Sequence, residues 1–162
     1  MNIVVILIFI FSFLGGIRMG AVNALFALLT TIIAIPITGV LYGFVASWLA
    51  FLPGENWEHF FGFFITLAAV SVILSLIFFQ PRHMLEVNWG RGLLSGVIGG
   101  IFSVTSSAIG LFLLVLLLNT YPIIEWLKII VADSVVLTWL VVNLNFLCFL
   151  LPQIFRNSII TY

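Results

Sequence analysis

Apolar residues in this chain come in long runs, and the few polar positions separate those runs instead of alternating within them. The hydrocarbon core of a bilayer is about 30 Å thick, so a crossing helix needs about 20 mostly apolar residues. Five stretches approach that length: 2–17, 21–42, 60–79, 92–118 and 134–151. The breaks read GIRMG, PGENWE, QPRHMLEVNWGR and NTYPIIEWLKIIVAD, and every charged residue lies in a break or flanks a run. A charge at mid-bilayer costs about 2.5–3.5 kcal/mol on insertion scales, which accounts for this segregation. The pattern predicts an all-α, polytopic helical membrane protein: one integral membrane domain over 1–162, with four to five transmembrane helices in a bundle.

Three places complicate that outline. The second run continues past Tyr42 to Leu52, too long for one straight span, and Pro36 inside it removes a helix hydrogen bond and is expected to kink it. Residues 44–52 are expected to form a tilted continuation or a short helix at the interface. The fifth run carries Asn143 and Asn145 near its centre, so it either spans or lies along the interface; spanning is favoured because it places Arg156 with the other arginines. The first run lacks a positively charged start and is not followed by a polar mature domain, so it reads as a retained helix, not a removable signal.

Composition confirms the solvent. The chain is 64% hydrophobic and 6% charged, against about 25% charged in a soluble domain, and its mean hydropathy is +1.40. Five basic and five acidic residues cancel, leaving no basic surface for nucleic acid. Their placement gives an orientation. Arg18, Arg82, Arg91 and Arg156 share one side with Glu86, while Glu55, Glu58, Glu125 and Asp133 face Lys128 on the other. By the positive-inside rule the four arginines anchor the cytoplasmic face, with the N-terminus outside and the C-terminus inside. Trp48, Trp57, Trp89 and Trp126 fall near run ends, where indole favours the headgroup region.

Glycine is the remaining signal. Gly92, Gly96 and Gly100 recur every fourth residue, Gly99, Ser103 and Ser107 form an overlapping row, and Gly16, Gly20 and Ala24 repeat the spacing earlier. Small residues four apart make a helix face on which another helix approaches closely in a membrane. A phosphate-binding GxGxxG loop is excluded by the spacing and by the lack of a preceding strand. His59 and His83 fall on opposite sides, the single Cys148 lies in an apolar run, and the acids are scattered, so neither a metal site, a cofactor site nor a hydrolytic constellation is expected. Hydroxyls and amides at Thr30, Thr31, Thr38, Ser71, Ser75, Ser103, Thr105, Ser106, Ser107, Asn143 and Asn145 would suit a polar transport seam. Without an intramembrane charge, interhelical bonding is their simpler role.

The order of these features resembles the colicin V production protein family of bacterial inner-membrane proteins. A short first span leads to a Gly and Arg turn (GGIRMG) and a long second span; later come GRGLLSGVIGG opening the fourth span, EWLK, a Ser-led apolar segment and LLP at 150–152. The resemblance implies a non-enzymatic inner-membrane protein linked to production or export of the toxin and to envelope homeostasis. Its two motifs map onto Gly16, Arg18 and Gly20, and onto Arg91, Gly92, Gly96 and Gly100, with packing and headgroup anchoring as the implied roles. The alternatives are an accessory packing subunit of a larger membrane complex and a small transporter or channel. The expected partners are the bilayer and either other membrane proteins or further copies of the chain.

Overall fold

Lipid offers no hydrogen bonds, so an apolar run can cross a bilayer only by satisfying its own backbone, and a helix does so within one segment. The computed structural model describes residues 2–49, 55–88, 92–121 and 134–144 and places them in helices α1 (Asn2–Met19), α2 (Ala21–Trp48), α3 (Glu55–Ile77), α4 (Phe79–Asn88), α5 (Leu93–Thr120) and α6 (Val135–Asn143). Among the described residues, four stretches are long and apolar enough to cross a membrane: α1, α2, α3 from Trp57, and α5.

The boundaries differ from the hydropathy reading for local reasons. Helix α1 runs through Arg18 to Met19, and a single residue, Gly20, joins it to α2. Gly20 has φ 80° and ψ 165°, a region open essentially to glycine alone. Hydrogen bonding carries across the corner, since the Gly20 N–H donates to the Gly16 carbonyl at 3.0 Å and Ala24 donates to Gly20 at 3.1 Å. Helix α2 passes through Pro36 without interruption to Trp48, so residues 44–48 continue the helix, and no separate interfacial helix forms within them. At about 1.5 Å per residue its 28 residues extend about 42 Å, more than a hydrocarbon core. The third span starts at Glu55, earlier than the apolar run, because polar residues form its first turn. The break after it contains α4, a polar ten-residue helix that hydropathy does not reveal. Residues 145–151 of the expected fifth span lie outside the described residues.

Side-chain contacts fix the directions. Ser12 meets Ser107 while Gly16 meets Gly99, so α1 and α5 are antiparallel. The pairs Ala21 and Ser95, Thr31 and Ser106, and Tyr42 and Tyr121 advance together, so α2 and α5 are parallel. Phe26 meets Phe78 while Tyr42 meets His59, which makes α3 antiparallel to α2. Helix α5 is the centre. Its Ile109, Phe112, Leu113, Leu116 and Leu117 pack with Ile35, Tyr42 and Phe63, while Val115 and Leu118 pack with Val5 of α1 and Leu137 and Leu140 of α6. At the start of α6 the Ser134 hydroxyl donates to Asn2 Oδ1 at 2.7 Å and accepts from the Leu137 N–H at 3.4 Å, tying this helix to the first turn of α1.

Large apolar side chains also cover the outside, with Val40 81% and Leu76 70% exposed. Apolar residues both inside and out mean that burial from water does not distinguish core from surface in lipid, and packing must do so. Phe112, with no exposed surface, should therefore be sensitive where Leu76 is not. Phe112→Ala is expected to lower the melting temperature in detergent by an amount corresponding to about 3 kcal/mol, the scale of a buried Phe-to-Ala cavity. Leu76→Ala should melt with the parent in the same thermal scan.

Candidate functional site

Where α1 and α5 cross, they touch through their backbones. A Cβ added to Gly99 would lie 2.5 Å from the Gly16 carbonyl oxygen and 2.7 Å from the Gly20 carbonyl carbon. One added to Gly16 would lie 2.6 Å from Ser103 Cβ and overlap the Gly99 carbonyl, and one added to Gly100 would lie 2.6 Å from the Phe13 ring. Non-bonded carbons prefer about 3.5–4.0 Å, so none of these three positions has room for a methyl group. Gly96 is looser, with Ile17 Cγ2 at 3.3 Å. Ala24, 1% exposed, continues the small surface along α2.

Gly92 is the exception in the row. It is the residue preceding α5, exposed, with open space where a Cβ would go, so the contact face starts one turn later at Gly96. The four-residue period extends to Gly92 in sequence, but α1 ends at Met19 and, among the described residues, nothing lies opposite it. The facing helix is α1 together with the first turn of α2.

Hydroxyls line this seam and the α2–α5 contact beside it. Ser12 and Ser107 share a hydrogen bond at 2.6 Å, Thr31 and Ser106 share one at 3.0 Å, and Ser95 Oγ accepts from the Ala21 N–H at 3.1 Å. Interhelical bonds of this kind average about 0.6 kcal/mol in membrane proteins, so they set register more than they supply stability. Ser12 and Ser95 escape a reading based on glycine. Ser95 has a signal nonetheless, standing four residues before Gly99 and extending the row Gly99, Ser103, Ser107 toward the helix start.

The other polar positions scatter. Thr105, Thr138 and Asn143 bond to carbonyls one turn back in their own helices. Thr30, Thr31, Ser71 and Ser75 line a groove of about 240 Å³ between α2 and α3. Thr38 is fully buried with no partner for its hydroxyl among the described residues.

The two ends of the bundle differ chemically. At one end the His59 ring stacks on Tyr121 with centroids 5.1 Å apart and meets Tyr42 edge-on at 6.0 Å. The two tyrosine hydroxyls lie 3.3 Å apart, and burial, helped by this bond, pushes the Tyr121 phenol above its ordinary range. At the other end a cleft of about 920 Å³ opens between the α1–α2 corner, α4 and the start of α5, lined by Arg18, Gly20, Asn23, His83, Ser95 and Gly96 among others. Of the four arginines expected to anchor this face, Arg18 lines the cleft. Arg82 lies on α4 with its side chain outside the described residues, and Arg91 and Arg156 are outside them altogether. Among the described residues, no three His, Cys, Asp or Glu side chains come together.

The family model for colicin V production protein matches residues 1–145, which takes in α1 to α6. The chain belongs to the colicin V production protein family. No curated protein and no solved structure matches it. The colicin V production family is thus represented here by a multi-pass membrane protein whose GGIRMG segment lies against Gly96, Gly99 and Gly100.

The seam makes a sharp comparison between two glycines of one helix. A methyl at Gly110 meets nothing within 4 Å, and Gly to Ala in a helix interior gains about 1 kcal/mol from propensity. Gly110→Ala should raise the melting temperature in detergent, whereas Gly99→Ala, with the same propensity gain, should lower it because α1 and α5 must separate. Equal shifts in the two variants would contradict the backbone contact.

Proposed function

We propose that this protein is a non-enzymatic component of the bacterial inner membrane that serves colicin V production or export and, more broadly, envelope homeostasis. The family match over residues 1–145 is the observation that carries this reading. The fold supports it by investing its small residues in helix contact: the two family motifs build the α1–α5 seam, leaving the helices as a packing body for the envelope machinery.

The same proposal places the Arg18 and His83 end in the cytoplasm and the His59 end outside, with the N-terminus outside and the C-terminus inside. The positive-inside rule and the two-ended distribution of charge support that placement. An accessory subunit of a larger complex is the second reading, favoured by α1, whose eighteen residues bury only Val5 and Gly16 and leave an apolar flank open to lipid or a partner helix.

In cells that make colicin V but lack their own family member, the wild-type chain should restore secreted toxin activity, and Gly99→Ala should restore less at equal membrane abundance. Lack of rescue by well-expressed wild-type chain would overturn the toxin role. With Cys148 replaced by Ser, Glu55→Cys should react with an impermeant maleimide in intact cells, and Glu86→Cys only after permeabilisation. Labelling of both in intact cells would overturn the orientation. Native mass measurement after extraction separates the second reading, since a stoichiometric complex with larger proteins would favour the subunit.

A further inference from the structure

The cleft at the Arg18 end is not explained by helix packing. Its floor is the α1–α5 seam at Gly96, its walls are the α1–α2 corner and the start of α5, and His83 of α4 stands across it. Arg18 is exposed and makes no hydrogen bond or ion pair among the described residues. Among the described residues, the lining contains no Asp or Glu. Two helices, α2 and α5, begin in the same cleft, and neither start has a side-chain cap from its own preceding residue. Ser95 supplies one substitute by accepting from the Ala21 N–H.

Magnitudes decide the sign of the field. Each helix start carries about half a positive charge, the carbonyl end of α1 carries about half a negative one, and Arg18 adds a full positive charge, so these described groups together give the cleft a net of about +1.5 before His83 is considered. Asn23 Nδ2 already donates to the Met19 carbonyl at 2.9 Å, occupying part of the negative end. An arginine fork, an imidazole and backbone N–H groups in one cleft form a donor set matched to phosphate oxygens. Around these polar groups the lining is largely apolar and exposed, with Met19 57% and Leu93 94% accessible. Free phosphate has no use for such a lining, whereas acyl chains do.

We propose that the cleft is a binding site for the phosphate of an anionic phospholipid, with Arg18 and His83 holding the headgroup and Met19 and Leu93 flanking the chains. It rests on the bilayer placement of the helices but not on which end faces the cytoplasm, because both leaflets carry phospholipid.

The experiment uses the full chain purified in a neutral detergent and titrated with phosphatidylglycerol, phosphatidylcholine or inorganic phosphate, with bound lipid counted by native mass spectrometry. The wild-type chain should retain phosphatidylglycerol in preference to phosphatidylcholine. Arg18→Gln should reduce that preference about tenfold, the worth of one charge-assisted hydrogen bond. His83→Gln, on a different helix, should reduce it as well, and Thr105→Val, outside the cleft, should leave it unchanged. Matching melting temperatures exclude unfolding as the cause. Equal retention of the two lipids by the wild-type chain, or unchanged preference in both Arg18→Gln and His83→Gln, would overturn the site. Displacement of phosphatidylglycerol by an equal concentration of inorganic phosphate would overturn the lipid assignment. An orientation contradicted by maleimide labelling would leave these lipid results standing, so the two failures are distinguishable.

Discussion

The structure depends on how closely two backbones approach at the crossing of α1 and α5. In water, burying apolar surface would draw these helices together, but lipid tails solvate Leu and Ile as well as a neighbouring helix does. What remains is dispersion between atoms in contact, which weakens steeply with a gap of even 1 Å. Gly16, Gly99 and Gly100 close that gap by removing the atoms that would hold it open. Helices α1, α2 and α6 pack on α5, and α3 and α4 pack on α2, so the position of α1 on α5 bears on where α6 and the α1–α2 corner lie.

Close approach alone would allow the helices to slide, because a glycine surface is nearly featureless. The Ser12–Ser107 hydrogen bond removes that freedom between α1 and α5, while the Ala21–Ser95 and Thr31–Ser106 bonds fix α2 on α5 at its start and near its middle. Farther along, where the glycines stop, contact passes to bulk: Phe63, Phe112, Leu116 and Ile35 fill the space between α2, α3 and α5. Helix α5 therefore changes character along its length, from a small-residue contact with α1 near its start to a large-residue contact with α2 and α3 near its end.

Much of this was legible in the sequence, and the limits have physical reasons. Four of the expected spans appear as helices because length and hydropathy are what a bilayer tests. The packing role of Gly96, Gly99 and Gly100 follows from spacing, since residues four apart share a helix face. Gly92 shares the spacing but not the contact, because a period says which residues lie on one face and nothing about where the opposing helix ends. Helix α4 escaped hydropathy because its residues are polar. The pairing of the Gly16 row with the Gly99 row, and the cleft at its end, could not be read from either row alone; both depend on the one-residue corner at Gly20, which turns α2 back beside α5.

That corner links the seam to the cleft. A longer connection would let α2 begin away from α5, and its first N–H groups would face solvent or lipid separately. With one residue in a conformation reserved for glycine, α2 starts where Ser95 reaches the Ala21 N–H, and the starts of α2 and α5 lie in one cleft beside Arg18. A side chain at Gly20 would therefore disturb both features by one route: the strained φ would reposition α2, loosening its bond to α5 and opening the walls around Arg18. The GGIRMG turn is coherent on this view. The glycines set the backbone path, and that path puts Arg18 where two helix starts add to its charge.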